Sequence, residues 1–388
     1  MKGGKNVAKK KKRKLTYWQR VYLTLKIRTK RLLSSILQSI KQYKMPLKLK
    51  LIVGSIILLI ALFYGGKFAI HHYRISSQTD YGYTKEEAQI ILDKKLQPVT
   101  KEFGYSQAFI QAVINNKYDE KYTPLYFYTN TVNEDSKKYY DKLLAKQYTQ
   151  EQVKDIFKNL SLEEMVPLFI YDKQEDLQVY YKDVKKGTLT DDYLKLYENP
   201  VIQTTLSIDS LVNKKYGLDQ NFEPEALTSI NQYCAFNPGK LVKEVATAFT
   251  SMCMDAKEQN IMFASMTAYR SYSEQQKRYD YYASEYGSLQ VDDYTSRPGF
   301  DEHQSGLAVN VASMAAYEVE TPFVNSNEYA WLQEHAAEYG FIFRYPSGKS
   351  HITGMSSEPS HLRYVGIELA QALKELNITL EEYHALYK

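Results

Sequence analysis

An α+β C-terminal domain, preceded by an all-α helical module and one transmembrane helix, is the architecture that the sequence predicts. Three observations predict it. There is an uncharged apolar run beginning at Leu51, a helix-start pattern that recurs from Tyr83 onward, and a change after about residue 200 to amphipathic helices mixed with short β-rich runs.

The apolar run is LIVGSIILLIALFYGG from Leu51 to Gly66, extended past Lys67 to Ile70. Counted through to Ile70 it is about 20 residues, enough at ~1.5 Å per residue to cross a hydrocarbon core of roughly 30 Å. Lys67 sits near the end, where its stem can snorkel to the interface. A buried soluble helix would need an apolar partner on every side. A cleaved signal peptide does not fit a run preceded by about fifty residues and followed by no small-residue cleavage site. Residues 49 to 70 therefore read as the span and 71 to 82 (HHYRISSQTDYG), polar and without period, as a short stalk.

Charge gives the orientation. The formal net charge of +5 hides a division at Lys50: residues 1 to 50 hold 17 of the 50 Lys and Arg and none of the 45 Asp and Glu. The remainder has 33 basic against 45 acidic residues, a balance of −12. Basic flanks stay in the cytoplasm, so the N-terminus is inside and the C-terminal domain outside. Within residues 1 to 48 the basic run Lys9 to Lys14 precedes apolar residues at near-helical spacing, Tyr17, Val21 and Leu25, then Leu33, Ile36, Leu37 and Ile40. This reads as a basic amphipathic helix on anionic lipid. Nucleic acid is not an expected partner, since basic clusters beside a span serve topology and lipid contact. With 44% hydrophobic residues, 17 Gly and 11 Pro, wholesale disorder is excluded.

Residues 83 to 200 read as helical hairpins. Thr84 with Glu87, Thr149 with Gln152 and Ser161 with Glu164 fit the capping box, and YSQAFIQAVI from Tyr105 is a weaker copy. The tyrosines of this module fit a packing scaffold, or a surface for peptidoglycan or a protein partner. From 201 to 388, KLVKEVATAFTSMCMDAKEQN is an amphipathic helix, IMFASMTAYRSY opens as a β-rich run, GLAVNVAS is a second, and EYAWLQEHAAEYG is a helix stopped by Gly340. Cys234 and Cys253, the only cysteines, are open to two readings: a bridge, or two buried thiols.

Five of the seven histidines lie in this last region. In EHQSGLAVN, His303 precedes a small-residue strand and Asn310 lies seven positions on. In EPSHLRYVG, Glu358 and His361 are three apart, so a base and a ligand can share one loop or turn. A zinc hydrolase needs ligands that leave a position open and a carboxylate beside it to take a proton. His335 reads as structural, His384 as solvated, and His351 as an alternative donor in a loop ahead of EPSH.

TAYRSYSEQQ from Thr267, HQSGLAVNV from His303, WLQEHAAEYGFIFRYPSGKSHITG from Trp331 and EPSHLRYVG from Glu358 resemble the successive signatures of the VanY-type D-alanyl-D-alanine carboxypeptidases, relatives of the VanX, Hedgehog and LytM zinc folds. LVNKKYGL from Leu211 resembles the entry to that domain, so the likeness covers roughly residues 205 to 388. It implies a small antiparallel sheet carrying a Zn2+ site. His303 and His361 match the zinc-binding histidines, Glu358 the catalytic base and Arg270 the arginine that holds anionic charge, while Ser271 and Gln275 match pocket positions. The implied activity is removal of a C-terminal D-alanine from peptidoglycan stem peptides in the cell wall, with D,D- or L,D-preference open.

Two departures stand out. Asn310 occupies the place of the aspartate that is the third ligand in HxxGxAxD, and Ser360 the place of tryptophan in EPWH. An amide oxygen is a neutral, weaker donor than a carboxylate, and its NH2 must point away from a cation. The alternative to an enzyme is accordingly a pseudoenzyme that binds peptide or a partner without cleaving.

Overall fold

The computed structural model describes residues 31, 34, 35, 38 and 46–388, except 172–173, 175, 187–196, 198, 287–290, 293–294 and 315–321. Apart from isolated positions, the expected basic amphipathic helix lies outside these residues.

Helix α1 (Leu47–Asp80) is the one helix among the described residues long and apolar enough to cross a membrane. Its apolar side chains point outward all round, with Leu51, Ile52, Leu58, Leu59, Leu62 and Phe63 exposed, and the Lys67 ammonium folds back over the Phe63 ring at 4.2 Å. The stretch expected as an irregular stalk is helical to Asp80. HHYRISSQTD contains no Gly or Pro, and extending an existing helix costs little because each added residue gains a hydrogen bond. Gly82, at φ 111°, ends it.

Residues through Tyr105 form one compact unit and those from Ser106 onward another. In the first, α2 (Lys85–Asp93) starts on the expected reciprocal cap of Thr84 and Glu87. Helix α3 (Gln97–Phe103) is tied to α1 by the Thr100 hydroxyl, which donates to the buried Gln78 amide oxygen at 2.7 Å.

The second unit begins with α4 (Gln107–Ile114), α5 (Leu125–Tyr128), α6 (Glu134–Ala145), α7 (Gln150–Asn159), α8 (Pro167–Ile170) and α9 (Leu177–Lys186). The Thr149–Gln152 box caps α7. Ser161 and Glu164 also make both hydrogen bonds of a box, yet the turn they start does not run on into α8, whose first residue, Pro167, has no N–H with which to continue it. The tyrosines are used in packing: Tyr180 donates to Glu164 O at 2.7 Å and Tyr181 to Asp155 at 3.0 Å.

The boundary expected near residue 201 falls inside this unit. Leu143, Ile156, Leu168 and Tyr171 share one apolar core with Ile352, Ala370, Leu373 and Leu380 from the C-terminal region. Lys349 reinforces the join by pairing with Glu163 at 3.0 Å and Glu382 at 2.9 Å.

Strands β1 (Val201–Gln203) and β2 (Tyr216–Leu218) pair in parallel, and β3 (Leu227–Ser229) pairs with β4 (Lys240–Val242). Then follow α10 (Lys243–Glu258), β5 (Phe263–Thr267), α11 (Tyr272–Tyr286), β6 (Ala308–Ser313), α12 (Asn327–His335), β7 (Phe341–Tyr345), α13 (Ser350–Thr353), β8 (Glu358–Tyr364), α14 (Ile367–Leu376) and α15 (Leu380–Tyr387). The site rests on an antiparallel sheet of order β5-β6-β8-β7. Strand alternation splits its faces. Phe263, Val309, Val311, Leu362, Tyr364 and Phe341 pack on Val245, Phe249 and Met252 of α10 and on Leu332 of α12, which leaves Asn310, His361 and Arg363 for the opposite face. Cys234 and Cys253 are bridged, with Cα atoms 6.0 Å apart, joining α10 to the segment before β4.

Candidate active site

Asn310 and His361 are register partners on β6 and β8, so their side chains rise from the same face. Glu358 belongs on β8 as well, not in a loop or turn as its spacing suggested. In a regular strand, residues three apart face opposite ways. Here Phe343 pairs with Leu362 but Tyr345 pairs with Glu358, so β8 carries two surplus residues at Pro359–His361. Pro359 cannot donate to a ladder and favours such a bulge. Across this irregular stretch Glu358 stands alongside His361, Oε2 to Nδ1 at 3.4 Å.

His303 comes from a 3-10 turn, Glu302–Ser305, that feeds into β6. Its backbone N–H is capped by the Asp301 carboxylate at 2.7 Å, and Gly306, at φ 70°, turns the chain into the strand. The His303 and His361 ring centroids lie 5.0 Å apart. His303 Nε2 is 2.8 Å from Asn310 Oδ1. The Asn310 NH2 faces the other way and donates to Glu358 Oε1 and, at 3.3 Å, to the Ser360 hydroxyl.

The charges follow from burial and neighbours. Burial drops His303 to about 4, with the Asp301 charge opposing. Burial also works against charge on His361, but Glu358 and Glu302 outweigh it and push it up to about 9. Burial would raise Glu358; the charge of His361 and hydrogen bonds from His361 and Asn310 hold it at about 2 instead. A neutral and a protonated imidazole thus face one ionised carboxylate.

Arg270 lies just beyond β5. Its backbone N–H donates to His303 O at 3.2 Å, and its guanidinium donates to Asp301 at 3.2 Å and to Gln275. Gln275 is fully buried and passes its own NH2 to Ser296 O at 2.6 Å, so it braces the arginine from behind. Ser271 occupies the cap of α11, its hydroxyl donating to Glu274 at 2.7 Å. Of the residues singled out in the sequence, His303, Asn310, Glu358 and His361 converge, Arg270 is linked to them through His303 and Asp301, Gln275 holds the guanidinium, and Ser271 caps α11 without a side-chain bond to it.

The other histidines are elsewhere. His351 is half-buried on α13, with Glu163 and Glu164 of the helical module among the charges acting on it. His384, expected as solvated, is partly buried, with Nε2 2.7 Å from Asp209 O. Sequence reasoning passed over Asp301 and Glu302; two consecutive acids ahead of a candidate ligand were the available signal.

A zinc ion fits the donors present. With its NH2 clamped by Glu358 and Ser360, Asn310 can only present its carbonyl oxygen toward His303 Nε2, which is the orientation a ligand needs. His303 Nε2, Asn310 Oδ1 and His361 Nδ1 would hold the ion, and binding at Nδ1 must displace a proton from His361. Among the described residues no cluster of three or more His, Cys, Asp or Glu is placed to hold a metal ion; the third donor of this set is an amide.

A family model described as VanY, D-alanyl-D-alanine carboxypeptidase, matches residues 239–367, a stretch that contains all five of the converging or linked residues. YodJ of Bacillus subtilis, named as a carboxypeptidase, is 35% identical over 209 residues, covering 53% of this chain and 73% of YodJ. VanXYC of Enterococcus gallinarum, named as a bifunctional D-Ala-D-Ala dipeptidase and carboxypeptidase, is 32% identical over 180 residues, covering 45% of this chain and 92% of that one. Among solved structures, the LdcB LD-carboxypeptidase is 36% identical with a TM-score of 0.44, covering 47% of this chain and 87% of LdcB. By the length and identity of these matches, the chain belongs to the VanY-type D-alanyl-D-alanine carboxypeptidase family.

Proposed function

We propose that the protein is a zinc-dependent carboxypeptidase that removes the C-terminal D-alanine of peptidoglycan stem peptides, tethered by α1 with its later residues outside the cytoplasmic membrane. The observation that carries this reading is the convergence of two imidazoles, an outward-turned amide oxygen and an ionised carboxylate on one sheet face. The tether is supported by the apolar girdle of α1 and by the absence of acidic residues before Lys50.

Zinc, when bound, supplies a Lewis acid and makes water a nucleophile near neutral pH. Glu358, ionised and beside the donors, accepts the proton of the attacking water and returns it to the leaving amine. Arg270, its fork fixed by Asp301 and Gln275, offers its remaining N–H groups to negative charge on the substrate. Relatives named as carboxypeptidases favour cleavage over binding alone.

The test uses the full-length chain in detergent with added zinc and two muropeptides, one ending in D-Ala-D-Ala and one in a single D-alanine after an L-centre, scoring free D-alanine. Release from either, abolished by Glu358→Gln, is the expected result, and the preferred substrate assigns D,D- or L,D-activity. Zinc-saturated protein that releases none, or releases as much with Glu358→Gln, removes the proposal.

A further inference from the structure

Glu302 follows Asp301 and precedes His303 in the chain. It is 1% exposed and ends between two buried guanidinium groups: Oε1 accepts from Arg344 Nε at 2.7 Å and from Arg363 Nη1 at 2.7 Å. Neither arginine is free to move. Arg344 forms a fork to Glu381 of α15 at 2.6 and 2.8 Å, and Arg363 donates to Ile208 O at 3.0 Å and Ser210 O at 2.9 Å. Two arginines and two glutamates balance one another in charge, so the cluster needs no third cation.

Its remaining atom is Glu302 Oε2, which is buried without a hydrogen-bond partner. It lies 3.4 Å from His361 Nε2, itself buried without one. A carboxylate fixed there favours the ring form with the proton on Nε2, and that form leaves the lone pair on Nδ1, the nitrogen on the Glu358 side.

We propose that Glu302 is the positioning residue of the site: it selects the ring nitrogen with which His361 meets a metal. The inference rests on the zinc reading above and adds to it a residue that never touches substrate. A purely structural ion cluster would stabilise the fold without affecting which imidazole nitrogen faces the site.

The test is zinc affinity of the full-length chain, by competition with a chromophoric chelator, for native protein, Glu302→Asp and Glu381→Asp. Aspartate keeps the charge between the arginines but retracts Oε2 from His361. Both variants lower the melting temperature, whereas only Glu302→Asp weakens zinc binding, by about ten- to a hundredfold. Equal zinc affinity in native protein and Glu302→Asp overturns the positioning role and leaves the hydrolase reading standing; no zinc bound by native protein overturns both. Should Glu302→Asp fail to fold, nitrogen-15 histidine spectra of the native zinc-loaded chain decide. The ring whose signals vanish in His361→Gln is expected with metal on Nδ1 and a proton on Nε2, and the reverse overturns the proposal.

Discussion

The Asn310 amide nitrogen donates to the Glu358 carboxylate, a contact that an ionised aspartate at that position could not make. The amide therefore acts twice: it leaves the proposed ligand set without a negative charge, and it occupies a lone pair of the proposed base while helping to hold Glu358 near a pKa of about 2.

Asn310→Asp is expected to tighten zinc binding about tenfold or more, because a charge replaces a dipole at the ion. It should also raise the basicity of Glu358 and with it the rate of D-alanine release. Chelator competition and release assays check this together; unchanged values would mean the amide already serves as a full ligand.

Arg270→Lys retains the charge but loses the fork that Asp301 and Gln275 hold. A fall of about 10²- to 10³-fold in kcat/KM is expected, with the melting curve little changed. Full activity in this variant would assign the anion-holding role elsewhere.

Ile156→Ala empties a fully buried position in the core that α7 shares with α14 and α15. The expected cost is about 2–5 kcal/mol, and it should be read in the C-terminal region too, as faster amide exchange at Ala370 and Leu373, which share that core. Unchanged exchange at Ala370 and Leu373 in a destabilised variant would contradict a common core.

Reduction of the Cys234–Cys253 bridge, which spans a sequence separation of 19, is expected to cost about 3 kcal/mol by releasing the unfolded chain. Urea midpoints with and without reductant measure it, and coincident midpoints would refute it.

Asp209 ties the entry segment to the C-terminus. It pairs with Lys388 at 2.8 Å and accepts from the Ser207 hydroxyl at 2.5 Å, which together lower its carboxyl to about 2. A depressed carboxyl stabilises the fold above its unfolded value of 3.8 and loses that contribution as pH falls toward 2. Asp209→Asn should therefore unfold at lower urea than native protein at pH 5, with the gap narrowing at pH 3. A gap that does not change with pH would rule out this linkage.

What the sequence made legible was local. Thr84 with Glu87 and Thr149 with Gln152 cap helices as their spacing predicts, because both partners lie within one turn. His303, Asn310, Glu358 and His361 were found because their motifs keep a recognisable order. What was hidden was non-local: Glu302 meets Arg344 and Arg363 across about 40 and 60 positions, His384 finds Asp209 across 175, and the helical module has no separate core to mark its end. Glu358 and His361, three apart, read as sharing one loop or turn, whereas both lie on β8 next to its irregularity.

That surplus at Pro359–His361 makes the geometry depend on counting as well as on chemistry. Deleting one residue there would shift the register between Glu358 and its partner Tyr345 while every side chain of the site stayed present. A missing residue in that stretch is therefore expected to disturb the site more than a changed one at Ser360.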